Sequence, residues 1–167
     1  MPVEVRRIAA HDWLLLRDLR LASLADAPEA FGQRHEEAAK TPDEEWQQTA
    51  RASTEGKRRA WFLARDGEGE VVGLVQARRR TPADCLLFSM WVTPAARGGG
   101  VGRALVEAVA DWGATWGAQR VVLWVYGANR GAQQFYERLG FTLMPEGPDA
   151  ESGAAFGALA LELPLTV

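Results

Sequence analysis

The fold of this chain is decided by the stretch Val92-Thr-Pro-Ala-Ala-Arg-Gly-Gly-Gly-Val-Gly-Arg103, which holds four glycines in five consecutive positions. An apolar run over residues 86–92 leads into it and ends at Pro94, which lacks the N–H that a sheet ladder needs. After the glycines, apolar residues recur at helical spacing, at Val101, Leu105, Ala108, Trp112 and Trp116. The pattern predicts a strand, a glycine turn and a helix.

A glycine turn at the start of a helix is typical of a phosphate site. Glycines adopt positive φ and let the backbone approach a ligand, because no Cβ stands in the way. The first N–H groups of a helix lack internal partners and lie at the positive end of its dipole. Together they can hold a phosphate or pyrophosphate. Arg97 and Arg103 can add charge-assisted contacts.

Two common nucleotide motifs do not fit this turn. A P-loop needs Lys followed by Ser or Thr after its last glycine, but Arg103 and Ala104 follow Gly102. The dinucleotide fingerprint needs a third glycine at position 103 and an acid at the end of the next strand. That strand, predicted over 120–126, ends without an acid.

A second motif lies downstream, Asn129-Arg-Gly-Ala-Gln-Gln-Phe-Tyr-Glu-Arg-Leu-Gly-Phe141. Together with the run from Arg97 to Gly102, this motif resembles the conserved motifs of the GCN5-related N-acetyltransferase (GNAT) superfamily. That family has an (Arg/Gln)-x-x-Gly-x-(Gly/Ala) acyl-CoA motif, and later an Asn-capped helix ending in Phe-Tyr-x-x-x-Gly-Phe. The resemblance is specific over residues 86–141 and covers the whole chain in outline. Within the family, the chain resembles a bacterial-type member with a single domain.

The resemblance implies a fold and an activity. The fold is α/β (α+β), with a mixed, strongly twisted sheet of about seven strands and about four helices in one domain over residues 1–167. The activity is acetyl transfer from acetyl-CoA to a primary amine of a small molecule, by direct attack in a ternary complex. Whether the acyl group is acetyl or longer stays open, and no metal is expected.

The resemblance also assigns the cofactor site. In the family the central strand is splayed from its neighbour, so its backbone is free to pair with pantetheine and to supply an oxyanion donor. The glycine turn holds the pyrophosphate, and Asn129 hydrogen-bonds the cofactor near the pantetheine. The expected cofactor-binding residues are Met90, Trp91, Val92, Arg97, Gly98, Gly99, Gly100, Val101, Gly102, Arg103 and Asn129.

Tyr136 is the expected general acid, at the position that the family uses to protonate the leaving thiolate. A phenol with a pKa near ~10 matches a thiol leaving group of about 8.5 or above. A core role beside Phe135 is the alternative. The general base stays open, since residues 85–92 hold no carboxylate. The candidates are a water molecule or the side chains of Glu29, His35, Glu36 and Glu37.

Periodicity and breakers predict the remaining elements. Strands are expected over 3–8, 60–65, 71–79, 86–92, 120–126, 141–144 and 156–163. Helices are expected over 10–25, from a Thr41 cap to about residue 56, from Val101, and from the Asn129 cap to Gly140. Most of the seven tryptophans are expected in the core, with Trp91 or Trp46 lining the acceptor pocket.

The composition of the chain limits the classes of function that it can have. The chain is 47% hydrophobic and 25% charged, which is typical of globular domains. Its net charge of −3 argues against nucleic acid as a partner. No signal peptide is visible and no apolar run approaches the ~20 residues that span a bilayer. Cys85 is the only cysteine and is expected to be inert. We expect a cytoplasmic protein without a membrane partner; a homodimer is left open.

Acidic residues gather in two segments that the resemblance places beside the amine. Residues 26–45 hold seven acids against Arg34 and Lys40, and residues 145–153 are acidic as well. An acidic rim would concentrate a cationic acceptor, so a cationic primary amine is expected. Two other functions stay open: a protein N-terminal or lysine acetyltransferase, and a non-catalytic acyl-CoA-binding module.

Overall fold

A computed structural model describes residues 2–31, 33–144 and 158–165. Its centre is a seven-stranded sheet in the order β1-β2-β3-β4-β5-β7-β6, in which β4 and β5 run parallel and all other neighbours run antiparallel. The strands are β1 Glu4–Arg7, β2 Arg59–Arg65, β3 Val71–Arg79, β4 Asp84–Val92, β5 Arg120–Tyr126, β6 Thr142–Leu143 and β7 Ala158–Pro164. The mixed sheet confirms the expected fold class.

Five α-helices flank the sheet in the described part of the chain: α1 Trp13–Asp26, α2 His35–Ala39, α3 Asp43–Ala52, α4 Val101–Thr115 and α5 Arg130–Arg138. The short α2 was not predicted. The predicted cap at Thr41 is wrong, because its N–H closes the end of α2 on the Ala38 carbonyl and Pro42 takes the cap position of α3. The predicted strand over 156–163 begins outside the described residues, and β7 covers the rest.

Two apolar layers cover the sheet. On one face α4 buries Leu105 and Val109 against β2, β3, β4 and β5. On the other face Leu16 of α1 and Trp46 of α3 pack with Trp61 of β2 and Trp91 of β4. Both layers have large side chains at or near full burial, so the sheet is a fixed platform for the site. Among the described residues, no helix is long and apolar enough to cross a bilayer.

The parallel pair β4–β5 is joined along only part of its length. Pairing runs from Asp84–Leu86 to Arg120–Val122 and stops there. Arg120 clamps the joined end, donating to Asp84 over 2.7 Å and to Glu162 over 2.8 Å. Beyond Leu86 and Val122 the two strands separate, as the family resemblance predicts for the central strand.

A β-bulge reshapes β4 next to this separation. The register with β3 passes from Gln76↔Phe88 to Leu74↔Trp91, so Ser89 and Met90 together face one residue of β3. Ser89 has a φ of 55°, which non-glycine residues adopt rarely and at some strain. The apolar sequence of β4 predicted an unbroken strand, and the bulge is a finding of the structure.

Candidate active site

A cavity of about 920 Å³ opens where β4 and β5 separate. Its split end is lined by β4, β5 and α5, through side chains that include Phe88, Met90, Leu123, Tyr126, Asn129 and Tyr136. Its helical end is lined by α1, α3, β2 and β3, through side chains that include Arg20, Glu45, Trp46, Arg59, Trp61 and Arg78. Residues far apart in the chain thus share one concave site.

The glycine turn follows β4 after a short 3-10 turn, Pro94–Ala96, and opens α4. Gly98 and Gly100 have φ values of 84° and 88°, where any other residue would be strained, and Gly100 caps the helix. Gly99 has an ordinary φ, and an added Cβ would meet only the Ala96 carbonyl at 3.4 Å. All three glycines and Arg103 are exposed. The start of α4 therefore lies near the surface, although Val101 itself is buried.

Gly102 has a packing role in addition to the one that its place in the motif predicts. An added Cβ would lie 2.8 Å from Cζ of Phe135, which is on α5. This glycine lets α5 pack closely on the first turn of α4, and it thereby sets the position of Tyr136, which follows Phe135. A substitution at Gly102 would disturb helix packing, so it cannot test ligand binding on an intact fold.

Arg97 and Trp91 share one partner, Asp26 at the end of α1. Arg97 donates to Asp26 over 2.6 Å and to the Val92 carbonyl over 3.1 Å, and the Trp91 indole donates to Asp26 over 2.9 Å. These two hydrogen bonds to Asp26 hold the pKa of its carboxyl below the usual value. Trp91 is buried in the core and does not line the cavity, so its expected place in the acceptor pocket is wrong; Trp46 does line it.

The edge of β4 that faces the separation from β5 carries only some of the expected backbone groups. The Thr93 N–H donates to Val72 of β3. Because alternate residues direct their backbone groups to the same edge, Trp91 also faces β3. Its neighbours Met90 and Val92 face the separation between β4 and β5. The backbone cofactor site at Met90, Trp91 and Val92 stays a prediction, and the Val92 carbonyl already accepts from Arg97.

Tyr136 lies in α5 at the split end and is 7% exposed. Its ring packs edge-on against Phe135 and Phe141, with centroids 5.1 and 5.4 Å apart. Burial raises the pKa of its hydroxyl well above the usual value, so the phenol stays protonated at neutral pH. The hydroxyl reaches the Met90 thioether over 3.9 Å, and sulfur is a weak acceptor. Both expected roles, core packing and a proton donor facing the cavity, are compatible with this position.

Asn129 caps α5, as its spacing predicts. Its side-chain oxygen accepts from the Ala132 N–H over 3.1 Å. Asn129 also lines the split end of the cavity. The cap is confirmed, and the cofactor contact stays a prediction.

The acidic segment 26–45 does not form the expected rim. Asp26 pairs with Arg97, and Asp43 pairs with Arg17 on the outside of α1. Of the acids in this segment, only Glu45 lines the cavity. The second acidic segment, residues 145–153, lies outside the described residues.

The side chains predicted from the sequence as candidates for the general base do not lie at the cavity either. The cavity lining includes none of the four side chains considered, Glu29, His35, Glu36 and Glu37. Sequence reasoning missed Glu45, although a signal existed. Glu45 and Thr49 are four residues apart on α3, beside the buried Trp46 and Ala50, and both line the cavity.

Cys85 is placed as expected. It is fully buried near the joined end of β4, and burial raises the pKa of its thiol to about 12. A thiol with this pKa is almost wholly protonated at neutral pH, so it is a poor nucleophile.

Comparison with known proteins decides the family. Residues 18–141 match the Acetyltransferase (GNAT) family. The chain belongs to this family. The GNAT glycine turn, the separated strands and the buried tyrosine of α5 all lie within the matched range.

Individual GNAT relatives have different names. The chain is 34% identical over 99 residues to a mycothiol acetyltransferase of Amycolatopsis mediterranei, covering 52% of this chain and 33% of that protein. It is 33% identical over 99 residues to a 5-NmdU N-acetyltransferase of Pseudomonas phage PaMx11, covering 59% and 69%. A GNAT acetyltransferase structure from Streptococcus pneumoniae superposes with a TM-score of 0.76 at 18% identity, covering 99% of this chain and all of that one. The match spans about a third of the mycothiol acetyltransferase.

Proposed function

We propose that this GNAT protein transfers an acetyl group from acetyl-CoA to a primary amine of a small molecule, by direct attack in a ternary complex. The observation that carries the proposal is the separation of β4 from β5 beyond Leu86 and Val122, between the glycine turn and Tyr136. The separated strands and the buried phenol then line one cavity, and the glycine turn follows β4 along the chain.

The residues at the split end fit acetyl-CoA. Gly98 and Gly100 hold the turn in conformations that leave the N–H groups of α4 open to a pyrophosphate. Arg103 is exposed and has no ion pair with any described residue, so its guanidinium is free for a phosphate. Arg97 is engaged with Asp26, and we assign it to holding the turn against α1.

The chemistry follows from what each group can do. Acetyl-CoA, when bound, supplies an activated thioester carbonyl. We assign a backbone N–H at Met90 or Val92 as the donor to the developing oxyanion, a contact worth ~3 kcal/mol in comparable sites. Tyr136 keeps its proton through neutral pH and can give it to the departing sulfur. Glu45 is the one carboxylate among the described lining residues, and we assign it as the base that takes a proton from the acceptor's ammonium group, so that the neutral amine can attack.

A small-molecule acceptor is supported by the names of two relatives, the mycothiol acetyltransferase and the 5-NmdU N-acetyltransferase. We further propose a single domain, supported by one sheet that spans residues 4–164. A cytoplasmic location is supported by the lone, buried Cys85, which needs no oxidising compartment.

The test is a panel of primary amines incubated with acetyl-CoA, read by free-thiol release and by the mass of the acetylated product. We expect thiol release that depends on both the amine and the protein. Binding of CoA without turnover on any amine would instead favour a non-catalytic acyl-CoA-binding module.

A further inference from the structure

The helical end of the cavity is positively charged. Three arginines line it, Arg20, Arg59 and Arg78, against one described carboxylate, Glu45. None of the three arginines has an ion pair with a described residue. This balance is the reverse of the acidic rim that the sequence predicts.

Arg20 is the most unusual of these residues. It is 8% exposed, and its Nη1 has no hydrogen-bond partner among the described residues. Its one side-chain hydrogen bond is long, 3.4 Å from Nη2 to the Gln33 amide oxygen, and its guanidinium lies 4.9 Å from the Phe31 ring centroid. Burial lowers its pKa to about 10, which still leaves it charged at neutral pH. Buried charges are normally paired, because an unpaired one is strongly unfavourable.

A second donor in the same cavity also lacks a partner. The Trp61 indole Nε1 is buried and makes no hydrogen bond among the described residues. Trp61 is on β2 and Arg20 is on α1, and both residues line this end of the cavity. Buried donors are usually satisfied, and two unsatisfied donors in one cavity call for an acceptor group from outside the chain.

Arg59 and Arg78 extend the same charge toward β2 and β3. Burial and the charge of Arg59 both lower the pKa of Arg78, so like charges lie close together without a carboxylate between them. Arg78 also lies over the Phe88 ring, 5.3 Å from its centroid, which holds it at the cavity. Clustered like charges raise the local concentration of a ligand of opposite charge.

We propose that the helical end binds an anionic oxygen group, a carboxylate or a phosphate, on the acceptor amine, with Arg20 as its main ligand. The proposal rests on the proposed acetyl transfer, since it names the class of acceptor for the same cavity. A guanidinium pairs with carboxylate and phosphate through two parallel hydrogen bonds, and the Trp61 indole can add a third. The amine of the same molecule then points toward the split end.

Kinetics with matched amines test the proposal. The panel holds amino acids, their amides, their decarboxylated amines, and phosphoethanolamine. We expect the wild-type protein to prefer anionic amines over the matched amides by about 10-fold or more in kcat/KM, the usual size of a hydrogen bond to a charged group. Preference for amino acids identifies a carboxylate source, and preference for phosphoethanolamine identifies a phosphate source. A preference for amides or decarboxylated amines would overturn the proposal.

Variants assign the effect to Arg20. Arg20→Gln should raise the KM for anionic amines about 10-fold and leave the KM for amides unchanged. The KM of Arg20→Lys for anionic amines should lie between those of the wild-type and Arg20→Gln proteins. The control is Arg17→Gln on the same helix, because Arg17 pairs with Asp18 and Asp43 outside the cavity. An Arg20→Gln protein that keeps the anionic preference would contradict the assignment.

A binding measurement separates this proposal from the proposed function. Thermal midpoints are measured with propionate, inorganic phosphate and neutral propionamide at matched ionic strength. We expect at least one anion, and not propionamide, to raise the midpoint of the wild-type and Arg17→Gln proteins but not of Arg20→Gln. This result would support the anion site even if no amine were acetylated. Equal midpoints with all three probes would reject the anion site even if acetyl transfer were found.

Discussion

The two ends of the cavity are built in different ways. The split end is lined by residues of β4 and β5 and by Asn129 and α5, which the chain joins through the glycine turn and α4. The helical end consists of side chains from four elements, α1, α3, β2 and β3, which span residues 20 to 78. The split end needs a fixed backbone geometry. The helical end needs side chains that come together only after folding.

This difference fits the two tasks of the proposed reaction, cofactor binding and acceptor binding. A thioester cofactor presents the same pyrophosphate and pantetheine to every relative, so one backbone solution serves them all. Acceptors differ, and side chains on several elements can change without disturbing the sheet. Substitutions at the two ends should therefore separate cofactor binding from acceptor binding.

The largest effect is expected at the split end, at Tyr136. Tyr136→Phe keeps the edge-on contacts with Phe135 and Phe141 and removes only the hydroxyl. We expect kcat to fall about 100-fold, because the leaving sulfur loses its proton donor. The dissociation constant for CoA, measured by calorimetry, should not change. Full turnover in the Phe variant would assign Tyr136 to the core alone.

A smaller effect, confined to the cofactor, is expected at the glycine turn. Gly99 is the position for this test, because it has an ordinary φ and open space around an added side chain. Gly99→Asp places a negative charge beside the expected pyrophosphate, and we expect CoA affinity to fall about 10-fold. The amine KM at saturating acetyl-CoA should stay unchanged.

Gly99→Asn is the matched control, since it has the same size without the charge. It should weaken CoA binding less than the Asp variant does. Equal CoA affinity in all three proteins, measured by calorimetry, would remove the glycine turn from the phosphate site.

The smallest effect is expected at Glu45, at the helical end. Glu45→Gln should lower kcat/KM about 5-fold near neutral pH, less than the usual range for a general base, because Glu45 is exposed and water can also take the proton. At a pH where the free amine is already neutral, the difference should vanish. The control is Glu44→Gln, an exposed neighbour on α3 that does not line the cavity. A pH–rate profile identical to wild type would exclude Glu45 as the base.

Local sequence was a good guide to the split end. Four glycines between an apolar strand and an amphipathic helix predicted the turn, and Asn129 predicted the start of α5. Each signal acts over a few residues, through φ preference or capping, so it survives whatever the rest of the chain does. Gly102 shows the limit, because its role depends on Phe135, thirty-three residues away.

Local sequence was a poor guide to the helical end. The cluster of acids in residues 26–45 predicted a cationic acceptor, but Asp26 and Asp43 are paired with arginines from other elements. From the sequence, Arg20 is a single arginine on the apolar face of a helix. Nothing near it in the sequence shows that its charge is unpaired. Charge counts along a chain do not report which charges face a cavity.

The separation of the central strands was expected from the family resemblance. By itself, the sequence determined the strand–turn–helix at the glycines, the capped α5 and the succession of strands along the chain. These follow from glycine φ, helix capping and hydrophobic period, which are short-range properties. Only the tertiary structure decided the β4 bulge, the engagement of Arg97 by Asp26, and the three arginines at the helical end. The physical reason is that burial and charge pairing depend on which distant side chains meet, and that is fixed only when the helices pack on the sheet.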